Sequence, residues 1–165
     1  MPRWLLDLFQ ILSRPFEPLP PPTPQPEPTP TPSPSPLGPI PSPAPIPDLA
    51  TGINAARAAA GLPALIFDEA LGQVSESWAR SMASNGALDH GAFADRIATL
   101  YPNTAAGEDI AEGQPTAAEV VAAWMDDPPH RANILGSFNR FGIGSAEADD
   151  GTPYWCADFV DSHAP

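Results

Sequence analysis

Lysine is absent from this 165-residue chain, and its seven arginines are outnumbered by 20 acidic side chains, which gives a formal net charge of −13 at pH 7. A field of this sign repels phosphate backbones and anionic lipid surfaces. The arginines are scattered along the sequence and form no local basic patch that would offset the field. Nucleic acid is therefore not an expected partner.

Cysteine occurs only once, at Cys156, so the chain cannot form an internal disulfide. The surrounding YWCADF is patterned like a strand, which predicts that Cys156 is a small buried side chain and not a reactive thiol. Glycine-rich phosphate loops and a G-x-S-x-G nucleophile elbow are also missing. The sequence therefore favours neither a nucleotide cofactor nor covalent catalysis.

Long hydrophobic runs are missing as well, including at the N-terminus. Residues 1–14 place polar side chains at helical spacing opposite an apolar face, and Asp7 interrupts a run that is too short to span a bilayer. No small-residue cleavage site follows before the prolines begin, as a standard secretory signal would require. The pattern predicts an amphipathic helix that docks peripherally on a membrane or on a protein.

Proline, in contrast, is abundant, and 17 of the 25 prolines lie in residues 15–47. This stretch has almost no side chains able to form a core, which predicts a disordered linker rich in polyproline II. At about 3.1 Å per residue it would reach roughly 100 Å. Residues 48–165 remain for one compact domain.

Capping signals and periodicity predict the elements of this domain. Asp48 or Thr51 is expected to cap a helix over TGINAARAAA, and ALIF is a short strand candidate. Asp68 is expected to cap a second helix, EALGQVSESWARSMASNG, and Thr116 with Glu119 forms a capping box for AAEVVAAWM. Along the chain, the N-terminal part of this domain is therefore predicted to be mainly helical.

The C-terminal part changes period and predicts a β-hairpin. Two alternating segments, residues 140–147 and 153–160, flank an Asp150-Gly151 turn signal. Helices followed by a hairpin indicate an α+β layered fold and not a doubly wound parallel sheet.

Three histidines are the main candidates for chemistry. His163 lies near the C-terminus and is expected to be solvated, whereas His90 and His130 fall in loop or helix-start positions. Glu108 in GED and Asp127 in DDPPH are the carboxylates considered with them. Each has a structural alternative, because Asp127 before a proline is typical of a helix N-cap and Glu108 could open a turn.

Several motifs together resemble the CAP superfamily of cysteine-rich secretory proteins, antigens and pathogenesis-related proteins, also called SCP-like, and most closely its bacterial extracellular branch. The resemblance covers about residues 50–160. It is carried, in order, by LPALIFDEALGQVSESWARSMASNGALDH, GEDIA, EVVAAWMDDPPHRANILG, RFGIG and YWCADF. It implies a three-layer α-β-α sandwich whose central cleft is lined by two histidines and two acidic residues.

The resemblance also implies roles for individual residues. His90, followed by Arg96, is similar to the first cleft histidine, and His130 to the second. Glu108 is similar to the glutamate of the family's GENI motif, and Asp127 stands where many eukaryotic members have a second glutamate. We expect these four cleft residues to be the ligands of a divalent metal, with zinc as the candidate.

This sequence departs from the family pattern at two positions beside the cleft. Asp109 replaces the usual asparagine and is expected to add a charge there, and Pro129 replaces the usual glycine and is expected to stiffen the approach to the second histidine. Outside the cleft, Arg96 and Arg131 are expected to pair with carboxylates. Asn133, Tyr154 and Trp155 are expected to fill the core.

Two functions follow from the resemblance and the linker. The preferred one is an extracellular or envelope-associated domain on a proline-rich stalk, whose cleft binds a small ligand, a cell-wall component or a divalent metal. The alternative is a hydrolase of peptides or cell-wall material, with or without zinc, for which His90, Glu108 and His130 are the catalytic candidates. The sequence does not decide whether the protein is an enzyme.

Overall fold

The structure, a computed structural model, describes residues 46–162. The predicted helix over residues 1–14, residues 15–45 of the predicted linker and His163 lie outside the described residues. No helix in residues 46–162 is both long and apolar enough to cross a membrane. The elements, in chain order, are α1 (Ile46–Ala59), β1 (Ile66–Phe67), α2 (Glu69–Asn85), α3 (Phe93–Ala98), β2 (Ala106–Glu112), α4 (Ala117–Asp126), α5 (Pro128–Ile134), β3 (Arg140–Glu147) and β4 (Pro153–Val160).

The four strands form one mixed sheet in the order β1-β3-β4-β2. Strand β1 runs parallel to β3, and the β3–β4 and β4–β2 pairs are antiparallel. The β3–β4 hairpin has the predicted bounds. Strand β2, which the sequence did not predict, lies at the sheet edge and pairs with β4 along its whole length.

The two faces of the sheet carry separate cores, because alternate side chains of a strand point in opposite directions. On one face, Trp155, Ala157 and Phe159 pack with apolar residues of α1, α4 and α5. On the other face, Cys156 packs against α2 and Val160 against α2 and α3. These three layers confirm the α-β-α sandwich, and they confirm Tyr154 and Trp155 as core residues.

Glycines of β3 bring α2 directly onto the sheet. In RFGIG, Phe141 and Ile143 point into the α1–α4 core, while Gly142 and Gly144 face α2. A Cβ at Gly144 would overlap the backbone of Glu76, so helix and strand are in backbone contact there. This close contact fixes the distance between α2 and the sheet.

Two of the three predicted helix caps are confirmed. The Asp68 side chain accepts a hydrogen bond of 3.0 Å from the Leu71 amide, and Thr116 caps α4. The cap of α1 at Asp48 or Thr51 is wrong, because that helix begins at Ile46 and includes the last residues of the predicted linker. Proline suits a first helical turn, where an N–H group has no partner within the helix.

Side chains from α4 and α5 close the free edge of β2. The Trp124 indole donates to the Ile110 carbonyl at 3.2 Å, and the Asn133 amide donates to the Glu108 carbonyl at 3.2 Å. An open edge strand would offer these carbonyls to another chain. The edge strand and its covering helices carry most of the candidate site.

Candidate functional site

His90 and Glu108 form the first histidine–carboxylate pair. His90 lies in the loop between α2 and α3, and its Nδ1 is 2.7 Å from Glu108 Oε1. The His90 side chain is 55% exposed, whereas that of Glu108 is 1% exposed. The alternative that Glu108 opens a turn is wrong, because β2 holds it opposite Asp158 of β4.

Glu108 sits in a buried polar cluster on the α2 face of the sheet. Its Oε2 accepts a hydrogen bond from Arg96, and the Cys156 thiol lies 3.5 Å from the same oxygen. Asp158, its partner across the strands, accepts a hydrogen bond of 2.6 Å from the Ser75 hydroxyl of α2. Arg96 is therefore a carboxylate partner, as predicted.

Burial sets the protonation of the two β4 residues in this cluster. It raises the pKa of Asp158 to about 7, and the nearby Glu108 charge adds to the shift against the lowering effects of the Ser75 hydrogen bond and Arg96. Burial also raises the pKa of the Cys156 thiol well above its usual range, with the Asp158 and Glu108 charges acting in the same direction. Cys156 is thus a buried thiol in a strand, as predicted, and not a nucleophile.

Asp127 and His130 form the second pair. Asp127 Oδ2 lies 2.6 Å from His130 Nδ1, and the ring centroids of His130 and Trp124 are 6.5 Å apart. Asp127 stands at the predicted N-cap position of α5, but its side chain makes no capping hydrogen bond. Pro129, at the second helical position, has no N–H for a cap to accept from, and the Asp127 carboxylate contacts His130 instead.

Asp109 lies on the opposite face of β2 from Glu108 and is completely buried. Asn133 donates to Asp109 Oδ1 at 2.7 Å, while Oδ2 has no partner among residues 46–162. Burial raises the pKa of Asp109 to about 8; the Asn133 hydrogen bond opposes the shift, and the charges of Asp127 and Glu108 increase it.

These features correct the prediction about Asp109. Its burial and raised pKa favour the protonated form at neutral pH, so it does not add the expected charge beside the cleft. A protonated aspartate has nearly the shape and hydrogen-bonding groups of asparagine, the residue that the family resemblance leads one to expect. Burial beside other acids therefore makes Asp109 resemble asparagine.

The structure thus shows two histidine–carboxylate pairs. Glu108 of the first pair lies on the α2 face of the sheet, and Asp127 and His130 of the second lie at the start of α5. Within the part of the chain that the structure describes, the group of three potential ligand atoms that all lie within 4.8 Å of one another is that of Glu108, Cys156 and Asp158. That group does not fit zinc, since the thiol stays protonated and Arg96 already neutralises Glu108.

The histidines themselves fit a metal better than the carboxylates do. With an ionised carboxylate at Nδ1 of a neutral ring, Nδ1 is the donor and Nε2 keeps the lone pair that a metal needs. Metal-binding histidines commonly have this second contact to a carboxylate, which orients the ring. Zinc ligation by all four residues stays a prediction. The observed contacts of Glu108 and Asp127 match an orienting role.

Three further side chains differ from expectation or were not predicted. Arg131 was expected to pair with a carboxylate, but its contact within residues 46–162 is with a carbonyl: its Nε donates to that of Met125 at 2.5 Å. Asn133, expected in the core, bridges Glu108 and Asp109 at the sheet edge. Asp158 was missed, although a carboxylate on the inward face of YWCADFV is an unusual feature that could have marked it.

Comparison with known proteins identifies the family. The model of the cysteine-rich secretory protein family, CAP, matches residues 51–159. The protein YkwD of Bacillus subtilis is 34% identical over 114 residues, which are 65% of this chain and 43% of YkwD. This chain thus matches less than half the length of that relative.

Solved structures show the same fold. An outer surface protein of Borrelia burgdorferi superimposes with a TM-score of 0.64 at 21% identity, covering 71% of this chain and 94% of that one. An extracellular protein of Bacillus anthracis with an SCP domain superimposes with a TM-score of 0.57 at 24% identity, covering 66% of this chain and 37% of that one. A cysteine-rich secretory protein of Staphylococcus aureus superimposes with a TM-score of 0.56 at 19% identity. The match covers 68% of this chain and 37% of that one. With its family match, its bacterial relatives and its three-layer sandwich, the chain belongs to the CAP superfamily as a bacterial member.

Proposed function

We propose that this CAP domain is an extracellular binding module that takes a divalent cation, zinc in the first instance, at His90 and His130. The observation that carries the proposal is that each ring has its Nδ1 on a carboxylate, which leaves Nε2 available. Both rings are accessible, with 55% of the His90 side chain and 28% of the His130 side chain exposed. Glu108 and Asp127 then act as orienting groups.

The charge of the protein supports a cationic ligand. The whole chain carries −13, and the site adds exposed acids next to the two pairs, Asp89 beside His90 and Asp126 beside Asp127. A negative field of this kind raises the local concentration of cations and repels anions. A small cationic ligand or a positively charged cell-wall component fits the site by the same argument.

Zinc titration of the full chain by calorimetry tests this proposal. We expect the wild type to bind, and the His90→Ala/His130→Ala double variant to lose binding because both Nε2 ligands are removed. Asp127→Asn should weaken binding about 10- to 100-fold, the usual effect of losing an orienting partner. His163→Ala is the matched control and should bind like the wild type. Unchanged affinity in the double variant would reject the proposal.

A hydrolase remains the second candidate because the His90–Glu108 pair has the parts of a general base. A ring nitrogen that is open to solvent and supported by a buried carboxylate can take a proton from water. Turnover of peptide or cell-wall substrates that is lost in Glu108→Gln would favour this function. Turnover that survives the change would assign the activity to other residues.

Location outside the cell is proposed from the family and its relatives. The Bacillus anthracis structure is described as extracellular and the Borrelia protein as an outer surface protein. We propose the same compartment here, with residues 1–14 as a peripheral anchor and 15–45 as the stalk, since Ile46 and Pro47 belong to α1. A reporter fused to residues 1–47 should fractionate with the cell envelope; a reporter that stays diffuse in the soluble fraction would contradict the anchor.

A further inference from the structure

His90 lies in a loop that has no regular secondary structure. Residues 87–91 connect α2 to the start of α3, every one of them is exposed, and the His90 side chain itself is 55% exposed. Burial therefore does not fix the direction of this side chain. Contacts between the loop and the neighbouring elements have to do so, and the contact of the ring with Glu108 is one of them.

Trp78 of α2 contacts this loop on both sides of His90. Its indole N–H donates to the Asp89 carbonyl at 2.8 Å, directly before His90. Its six-membered ring lies against Gly91, directly after His90, where φ is +50° and an added Cβ would overlap the ring atoms. One side chain therefore holds the backbone of both neighbours of His90.

Trp78 also supports Arg96, which contacts both members of the first pair. The central carbon of the guanidinium lies 3.9 Å from the centroid of the Trp78 ring. From this place one guanidinium nitrogen donates to the His90 carbonyl at 2.9 Å and another donates to Glu108 Oε2. Stacking restrains the plane of a guanidinium, so the ring sets the direction in which Arg96 donates.

The helix that carries Trp78 is itself in backbone contact with the sheet. A Cβ at Gly142 or Gly144 of β3 would overlap the backbone of α2, in the second case at Glu76, two residues before Trp78. The indole is therefore held at a fixed distance from the sheet, whose strand β2 carries Glu108. The loop is placed relative to Glu108 through this indole.

We propose that Trp78 is a positioning residue that holds the His90 loop in its binding arrangement before any ligand arrives. Its contacts at Asp89, Gly91 and Arg96 order the backbone from which the His90 ring extends. A loop that is ordered in advance loses less conformational entropy on binding, which increases affinity. The inference rests on the proposed function for the use made of the His90 ring, whereas the positioning is a property of the metal-free chain.

Nitrogen-15 relaxation of the metal-free full chain tests the positioning directly. We expect backbone order parameters of about 0.85 for residues 89–91 in the wild type, as in rigid backbone, and values below about 0.6 in Trp78→Leu. Leu49→Ala is the control, because it removes a buried side chain from the core on the other face of the sheet and should leave these values unchanged. Low values in the wild type, or unchanged ones in folded Trp78→Leu, would overturn the inference.

Zinc titration then tests whether the ordered loop matters for binding. Gly91→Ala pushes the loop off the indole and should weaken zinc binding about 10- to 100-fold, as the loss of an orienting contact does. In the Trp78→Leu background the added methyl group has room, so the further loss should be smaller. Equal losses in the two backgrounds would overturn the inference, and Leu49→Ala should bind like the wild type.

Two outcomes separate this inference from the proposed function and from a folding defect. Gly91→Ala leaves the α2 sequence intact and keeps the test valid if Trp78→Leu fails to fold. Unchanged order parameters and unchanged zinc affinity in Gly91→Ala would overturn the inference. A wild type that has an ordered loop but binds no zinc would reject only the proposed function.

Discussion

At the scale of single residues, Asp109 has an unusual environment for an aspartate, because its carboxyl group is buried and its pKa is raised. It is fully buried, and its native pKa of about 8 lies above the ordinary value of 3.8. Between these pH values the native state therefore holds a proton on Asp109 that the unfolded chain releases. The contribution of this proton to the free energy of unfolding is fully present below about pH 4 and is lost as the pH rises through about 8.

Asp109→Asn should remove this pH dependence. We expect the variant to be more stable than the wild type by an amount on the order of 4 kcal/mol at pH 7, with no difference near pH 3. Urea unfolding at a series of pH values measures both. The exposed Asp149→Asn should follow the wild-type curve, and a destabilised Asp109→Asn at pH 8 would show that the carboxylate is charged in the native state.

Arg57 is a second residue whose role depends on burial. It is 2% exposed and donates to four backbone carbonyls, those of Pro63, Ile134, Gly136 and Phe138, which ties α1 to the segment between α5 and β3. Burial lowers the pKa of its guanidinium.

Arg57→Met leaves these carbonyls without their donor. We expect a loss of about 3–5 kcal/mol in the free energy of unfolding, because buried polar groups without partners are costly. Chemical denaturation measures the loss, and the exposed Arg80→Met should change stability by less than about 0.5 kcal/mol. A small effect at Arg57 would mean that water replaces the guanidinium.

For single residues, the sequence predicts which side chains are site candidates better than it predicts how deeply they are buried. His90, Glu108, Asp127 and His130 stand out because histidines are few and because the motifs resemble a known family. The burial of Asp109 could not be predicted, since it lies on a strand face that the chain covers only after distant segments fold together.

Among the elements, the contact of α2 with β3 depends on glycine. A Cβ at Gly144 would overlap the Glu76 backbone, which cannot move as a flexible side chain can. We expect Gly144→Ala to cost about 3 kcal/mol through overpacking. Gly61→Ala, where no atom lies within 4 Å of the added Cβ, should cost only about 1 kcal/mol for its left-handed backbone. Thermal unfolding compares the two; equal losses would contradict a tight helix–strand contact.

Element prediction succeeded where the signal was local. The hairpin of β3 and β4 and the cap at Asp68 follow from alternation and capping chemistry that adjacent residues carry. Strand β2 was missed because GEDIAE contains three acidic residues and resembles a solvated loop. Its strand conformation comes from pairing with β4 and from buried acids with protons or partners, neither of which is a local property.

For the whole molecule, the sheet order and the contact of His90 with Glu108 follow from long-range packing. Composition and periodicity indicated an α+β fold, and the family resemblance supplied the sandwich. Neither indicated which nitrogen of each histidine would face its carboxylate.

The central claim is that each histidine offers Nε2 to a cation while a carboxylate holds Nδ1. Anomalous diffraction from crystals of the protein soaked in zinc tests it most directly. The account predicts zinc bonded to Nε2 of His90 and His130, with the Glu108 and Asp127 contacts to Nδ1 retained. Zinc in the buried group of Glu108, Cys156 and Asp158, or histidines that bind it through Nδ1, would contradict the account.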